Sequence, residues 1–137
     1  MTDPDCIFCK IVARELPATI IDEDELTVAF MDINPATRGH ALVVPRRHSQ
    51  DLLSIDPEDL CATAAMAQRL AGRMSERLGA AGINVLNSCG AAAWQTVFHF
   101  HLHVIPRYAD DPLRLPWMPT SGDASEIAAA GQELGSG

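Results

Sequence analysis

Three of the five histidines in this 137-residue chain stand within seven residues, in the run His99-Phe100-His101-Leu102-His103-Val104-Ile105. An extended chain points successive side chains to opposite faces, so the three imidazoles share one face at about 6.6 Å per step. Phe98, Phe100, Leu102 and Val104 then face a core. Imidazole is substantially neutral near pH 7, so a ring nitrogen offers a lone pair without a separate base. Two chemistries suit such a row. One is a metal site, since a His-x-His step on a strand can bring two nitrogens to one zinc. The other is an anion site in which imidazoles bind phosphate oxygens and one attacks, splitting a hard displacement into two easier ones. A strand whose exposed positions are histidine for no chemical reason is the third reading, and three in register make it the weakest.

The cysteines offer a second chemistry. Cys6-x-x-Cys9 has the spacing of a zinc half-site, shared with redox motifs. The start, Met1-Thr2-Asp3-Pro4-Asp5, is acidic where a secretory signal is basic, and no apolar run approaches the ~20 residues that span a bilayer. A cytoplasmic location follows as the expectation, with Cys6, Cys9, Cys61 and Cys89 read as thiols or metal ligands rather than disulfides. A net charge of -8 argues against a general nucleic-acid binder but leaves room for a single nucleotide. Hydrophobic residues at 47% and charged residues at 20% fit one ordinary globular domain over 1–137.

The elements that must position these groups are legible in outline. A short helix is expected at 6–13, then strands at 18–22 and 26–31 around the acidic turn Asp22-Glu23-Asp24-Glu25. Asn34-Pro35 ends the second strand, and a third at 40–44 is closed by Pro45. The clearest element is a helix at 57–78: Asp56 caps it, Pro57 suits its first position, Glu58 and Asp59 complement its dipole, and Gly79 stops it. Leu60, Ala64, Ala67, Leu70, Ala71, Met74 and Leu78 form its expected buried stripe, with Cys61 packing beside them. This helix reads as scaffold. Strands at 82–88 and 97–105 follow, with a Gly/Ala-rich loop between them. The core spans about 6–108, and a proline-rich tail with a short helix at 123–134 and a loose Gly-Ser-Gly end completes the chain. Several strands around one long helix imply an α+β domain with a mainly antiparallel sheet.

The run at 99–105 resembles the signature of the histidine triad family of nucleotide hydrolases and transferases. Family-like blocks recur in family order: Cys6-Ile7-Phe8-Cys9-Lys10-Ile11, Ala29 to Pro35, Gly39-His40-Ala41-Leu42-Val43-Val44-Pro45, Asn87, and Gln95-Thr96-Val97-Phe98. The resemblance implies a five-stranded, mainly antiparallel sheet with one long helix and short terminal helices. It makes His101 the nucleophile on the α-phosphate of a purine nucleotide, with His103 binding the phosphate and His40 supporting the triad. Asn87 and Thr96 would hydrogen-bond phosphate oxygens, with Gln95 at the mouth. Asp32 would accept from both ribose hydroxyls, and Phe30, Ile33 and Leu42 would line the purine pocket. In some bacterial members two cysteines and two histidines hold a metal, and the matching residues here are Cys6, Cys9, His48 and His99. A structural zinc without an organic cofactor is therefore expected.

The resemblance further implies a homodimer built on the long helix and a strand, with no nucleic-acid or membrane partner. Trp117 is a candidate to reach the partner's site. One departure stands at Trp94, where the family usually has glycine, whose backbone angles tryptophan resists. The substrates implied are nucleoside phosphoramidates or dinucleoside polyphosphates. Rival readings are a nucleotide-binding regulatory module with little turnover, and a metal-dependent hydrolase using the triad itself as zinc ligands.

Overall fold

The computed structural model describes residues 2–135, so Met1 and the Ser136-Gly137 end lie outside the described residues. In chain order the elements are α1 (Ile7–Val12), β1 (Ile20–Glu23), β2 (Thr27–Met31), β3 (Ala41–Pro45), α2 (Pro57–Leu78), β4 (Gly82–Leu86), β5 (Leu102–Arg107) and α3 (Ala124–Leu134). The five strands form one sheet in the order β1-β2-β3-β5-β4, and every pairing is antiparallel. The expected architecture is the one observed. Among the described residues no helix is long and apolar enough to cross a membrane.

Helix α2 begins and ends where its chemistry dictates. The Asp56 carboxylate accepts from the Glu58 amide at 2.8 Å, and Gly79 closes the helix in the left-handed region at φ 69°. Its buried face is Asp59, Thr63, Met66, Ala67, Leu70 and Met74, rotated from the expected stripe. Ala64 and Cys61 are exposed, correcting both expectations. Alanine fits either face of a helix, so the stripe is set instead by Met66 and by Asp59, whose carboxylate meets Arg47 at 2.9 Å. Met66, Ala67, Leu70 and Met74 pack on Ala41, Val43, Leu102 and Val104 of the sheet and on Phe100 just before β5. A second cluster on the other face joins Cys6, Phe8 and Cys9 to Val28, Phe30, Leu42 and Val44.

Two strand boundaries differ from expectation in ways that matter for the site. β5 starts at Leu102, not at 97, and runs through Pro106 to Arg107. Pro45 ends the facing β3 and has no N–H for the ladder; the Phe100 amide donates to Ser49 O at 2.7 Å instead. His99 and His101 thus lie on the segment that leads into the strand, bent at 97–99, and Phe98 is 43% exposed rather than in the core. β4 ends at Leu86, because Asn87 turns its side-chain amide to the His101 carbonyl at 3.0 Å. The acidic turn is shifted too: Asp24 closes it by accepting from the amides of Leu26 and Thr27 at 3.0 and 2.8 Å.

Candidate active site and metal centre

Each histidine of the row has one ring nitrogen committed to a backbone or imidazole partner, and that commitment fixes what the other nitrogen can do. The His101 Nδ1–H donates to the His99 carbonyl at 2.7 Å, which leaves the Nε2 lone pair free. Phe8 stands edge-on to the same ring, with centroids 5.1 Å apart, and helps hold its plane. Burial lowers the pKa of His101 against the opposing pull of the His99 carbonyl and Asp32, so the ring remains neutral at pH 7.

His103 is set by a relay. The Ala36 amide donates to His40 Nδ1 at 2.9 Å, so the proton of His40 sits on Nε2. That Nε2–H donates to His103 Nδ1 at 2.9 Å, which leaves His103 with its proton on Nε2. One backbone amide therefore turns the exposed nitrogen of His103 into a donor. Burial is the main reason that the His40 pKa falls and the His103 pKa falls to about 4, the imidazoles of His101 and His40 adding to the latter. Asp32 lies beside the relay, its Oδ2 3.4 Å from His40 Nε2, whose N–H it attracts, and 4.0 Å from the acceptor His103 Nδ1. Asp32 and His40 are brought together by the β2–β3 hairpin, where the Asp32 amide donates to the His40 carbonyl at 3.1 Å.

His101 and His103 open onto a cavity of about 550 Å³. Phe30 and Leu42 form its apolar floor and are also packed in the core; Ile33 lies on its rim, 90% exposed. Asp32 and Thr96 face the same space. Asn87 gives its NH2 group to His101 O, while its buried Oδ1 has no partner among the described residues. Gln95 is buried and fully committed: it accepts from Gly90 N at 2.7 Å and donates to Gln50 O and Val97 O at 2.8 and 3.1 Å. It pins the 87–96 loop. Trp94 sits in the left-handed region at φ 74° with its indole 65% exposed, so the glycine-like angles that tryptophan was expected to exclude are adopted, at about 1–2 kcal/mol.

A second cluster lies one step back along the row. The His99 Nε2–H donates to the Pro45 carbonyl at 2.8 Å, so its Nδ1 lone pair is presented to Cys6 Sγ at 3.4 Å and Cys9 Sγ at 3.5 Å. His48 Nδ1 is 3.5 Å from Cys9 Sγ, and its Nε2 points to Asp3 at 3.9 Å. Tetrahedral zinc with its usual sulfur and nitrogen bond lengths sets sulfur–nitrogen edges of about 3.5 Å. The donor set and its spacing fit that ion. Four protein donors leave no position for a water, the hallmark of a structural centre.

Several contributors carried no legible signal. The Ala36 amide and the carbonyls of Pro45 and His99 act through backbone atoms, which residue types do not reveal. Ile7, Ile11, Leu16 and Pro17 line the cavity. The amphipathic start of α1 was the available hint. Among the described residues the three triad imidazoles do not converge on one point: His99 belongs to the thiol cluster and His103 to the Asp32–His40 cluster.

An antiparallel sheet carrying a row of tautomer-fixed imidazoles, beside an S₂N₂ metal cradle, defines a histidine triad protein. The HIT domain model matches residues 13–110, and the chain belongs to that family. It is 44% identical over 110 residues, 78% of each chain, to an uncharacterized HIT-like protein of Borreliella burgdorferi. A Streptococcus mutans structure superposes with TM-score 0.91 at 33% identity, covering 97% of this chain and 85% of that one, a match that extends into α3. A zinc-bound histidine triad family protein of Mycobacterium smegmatis matches with TM-score 0.78 and 43% identity over 95% of each chain. A histidine triad nucleotide-binding protein of Candida albicans matches with TM-score 0.82 and 28% identity, covering 95% and 94%.

Proposed function

We propose that the protein hydrolyses or transfers at the α-phosphate of a purine nucleotide through a covalent nucleotidyl-His101. The observation that carries this reading is the Nδ1–H bond of His101 to the His99 carbonyl at 2.7 Å, which directs a neutral Nε2 lone pair to the cavity. Membership of the family and likeness to a nucleotide-binding relative support it.

In this reading the purine lies over Phe30 and Leu42 with Ile33 at the rim, and Asp32 accepts from the ribose hydroxyls. His101 Nε2 attacks phosphorus and forms an N–P bond as the bond to the leaving group breaks; a departing amine takes its proton from water in the open cavity, and a departing phosphate leaves as the anion. His103 Nε2–H, kept a donor by His40, bonds a non-bridging oxygen and stabilises by hydrogen bonding the charge that develops there. Asn87 and Thr96 hold the other phosphate oxygens, and Gln95 keeps their loop in place. Water then adds to phosphorus and releases the nucleoside monophosphate, restoring neutral His101. Phosphoramidates and dinucleoside polyphosphates both offer the required leaving group.

Cys6, Cys9, His48 and His99 would hold a structural zinc, whose contribution is to tie α1 to the approach of β5. A homodimer in the cytoplasm completes the reading; the exposed edge strand β4, with Val85 54% and Leu86 42% exposed, is its natural seam.

Intact-protein mass spectrometry after rapid, acid-free quenching with an adenosine 5′-phosphoramidate tests the covalent step. A nucleotidyl adduct is expected in the wild type and absent from His101→Ala. No adduct and no turnover, with nucleotide bound equally by both proteins, would instead mark a binding module.

A further inference from the structure

Helix α3 is an unusual object for a small domain. It runs for 11 residues with no buried side chain, below the ~12–15 at which even good sequences hold a helix alone in water. Only the Asp123 cap, bonding the Glu126 amide at 3.2 Å, steadies its start. Yet its sequence is patterned for packing. Ile127, Ala130, Gly131 and Leu134 recur at i, i+3, i+4 and i+7, and Ile127 and Leu134 are 63% and 86% exposed. A Cβ at Gly131 would meet nothing within 4 Å, so no contact inside the chain calls for glycine there, although glycine costs a helix about 1 kcal/mol against alanine. Cap and helix bear Asp123, Glu126 and Glu133 and no cation.

The body of the molecule carries an apolar groove rimmed by opposite charge, a second cavity that shares only Met31 with the lining of the nucleotide cavity. Between α2 and the β1–β2 hairpin runs a cavity of about 470 Å³ with Met31, Leu70 and Met74 in its floor and Arg38, Arg73 and Arg77 on its rim. Arg73 is held by Asp22 at 2.6 Å. Arg38 and Arg77 have no carboxylate partner among the described residues. The tail begins beside this groove, since the Tyr108 hydroxyl donates to Arg38 O at 2.7 Å. Asp111 then turns it away, accepting from Arg107, the Tyr108 amide and the Leu113 amide.

We propose that α3 is an exchanged arm: its Ile127–Leu134 stripe seats in the α2/β1 groove of a second copy of this chain, with Glu126 and Glu133 facing Arg38 and Arg77. Sixteen residues, 108–123, separate α3 from the sheet; extended, they span up to about 50 Å, ample for a neighbouring copy. The exchange is reciprocal, as two-fold pairs require. It uses none of the catalytic histidines and stands or falls independently of the catalytic reading, although Met31 lines both cavities.

Two measurements on the full chain test it. With a photo-reactive p-benzoylphenylalanine in place of Ala128, and a mixture of ¹⁴N- and ¹⁵N-labelled protein, the expected product is a mixed-isotope cross-link joining α3 to a peptide that contains Arg38 or residues 70–78. Cross-links found exclusively within one isotope species after subunit mixing, or to another surface, would overturn the exchange. Hydrogen exchange supplies the second reading: α3 amides should be protected, and Arg77→Glu or Glu133→Arg should cut that protection at least tenfold, with partial recovery in a 1:1 mixture of the two variants. Amides of α3 exchanging at the rate of an unfolded peptide in the wild type would also refute the arm.

Discussion

Two neighbouring members of the histidine row use the same residue type for opposite ends. At His99 the Nε2–H is spent on a carbonyl, and the Nδ1 lone pair meets two thiols in a closed, buried cluster. Two residues on, His101 spends Nδ1–H on a carbonyl, and the Nε2 lone pair meets an open cavity. Which nitrogen is tied decides the chemistry. Sulfur neighbours and four converging donors make a metal cradle; imidazole neighbours already bonded to one another make a proton-ordered relay. His40 and His103 lie 2.9 Å apart at their facing nitrogens, a hydrogen-bond distance that consumes the lone pair a metal would need. That argues against the triad itself as a set of zinc ligands.

The comparison breaks most sharply if each site is disabled alone. His101→Ala should lower turnover of a nucleoside phosphoramidate by 10³-fold or more, on the order of the loss when a catalytic nucleophile is deleted. Its zinc content, by elemental analysis, should match the wild type. Cys9→Ser should do the reverse in kind: zinc is lost, and stability in a denaturant titration falls by about 3 kcal/mol or more as the pin between α1 and the β5 approach goes. If the serine variant keeps its melting behaviour, the cluster is a pair of packed thiols and not a centre.

A smaller effect separates positioning from presence. His40→Ala should lower kcat by about 10–100-fold, the usual cost of removing a partner that orients an imidazole. His40→Gln, whose amide can donate to His103 Nδ1 from nearly the same place, should recover part of it. Substrate affinity should change little in either. Equal loss in both variants, with KM raised, would mean that His40 only shapes the pocket.

How far these roles were legible depends on what carries them. Side chains whose types are themselves the signal were found: Cys6, Cys9, His48 and His99 do converge, within 4.8 Å of one another, and α2 runs between the residues its caps mark. Backbone partners were hidden, because the Ala36 amide and the carbonyls of Pro45 and His99 are not written in residue types. Alternation also misled where the ladder stops. Phe98 reads as a core residue only if β5 extends back to it, and the end of β3 at Pro45 removes the neighbour it would pair with. Ala64 was assigned to the wrong face of α2 because alanine fits both, while Asp59 took a buried place through its bond to Arg47. Gln95 was given the mouth of the site; its carboxamide holds the loop from within.

The smallest expected effect is in pH. Burial holds His103 at about 4 against an ordinary 6.5, so between those values the unfolded chain binds a proton that the folded one does not. Stability contributed by keeping this ring neutral is therefore complete above pH 6.5 and is lost as pH falls through that window, with a slope of at most about 1.4 kcal/mol per unit. Denaturant titrations between pH 4 and 7 should show a shallower acid decline in His103→Gln than in the wild type. The difference should persist when both carry Cys9→Ser, since it arises in the relay and not in the competition of protons with zinc. Turnover should follow the same sign: neutral His101 and His103 keep the acid limb of kcat/KM below pH 6.5, and a limb at or above that value would mean that the rings are not shielded as their surroundings require.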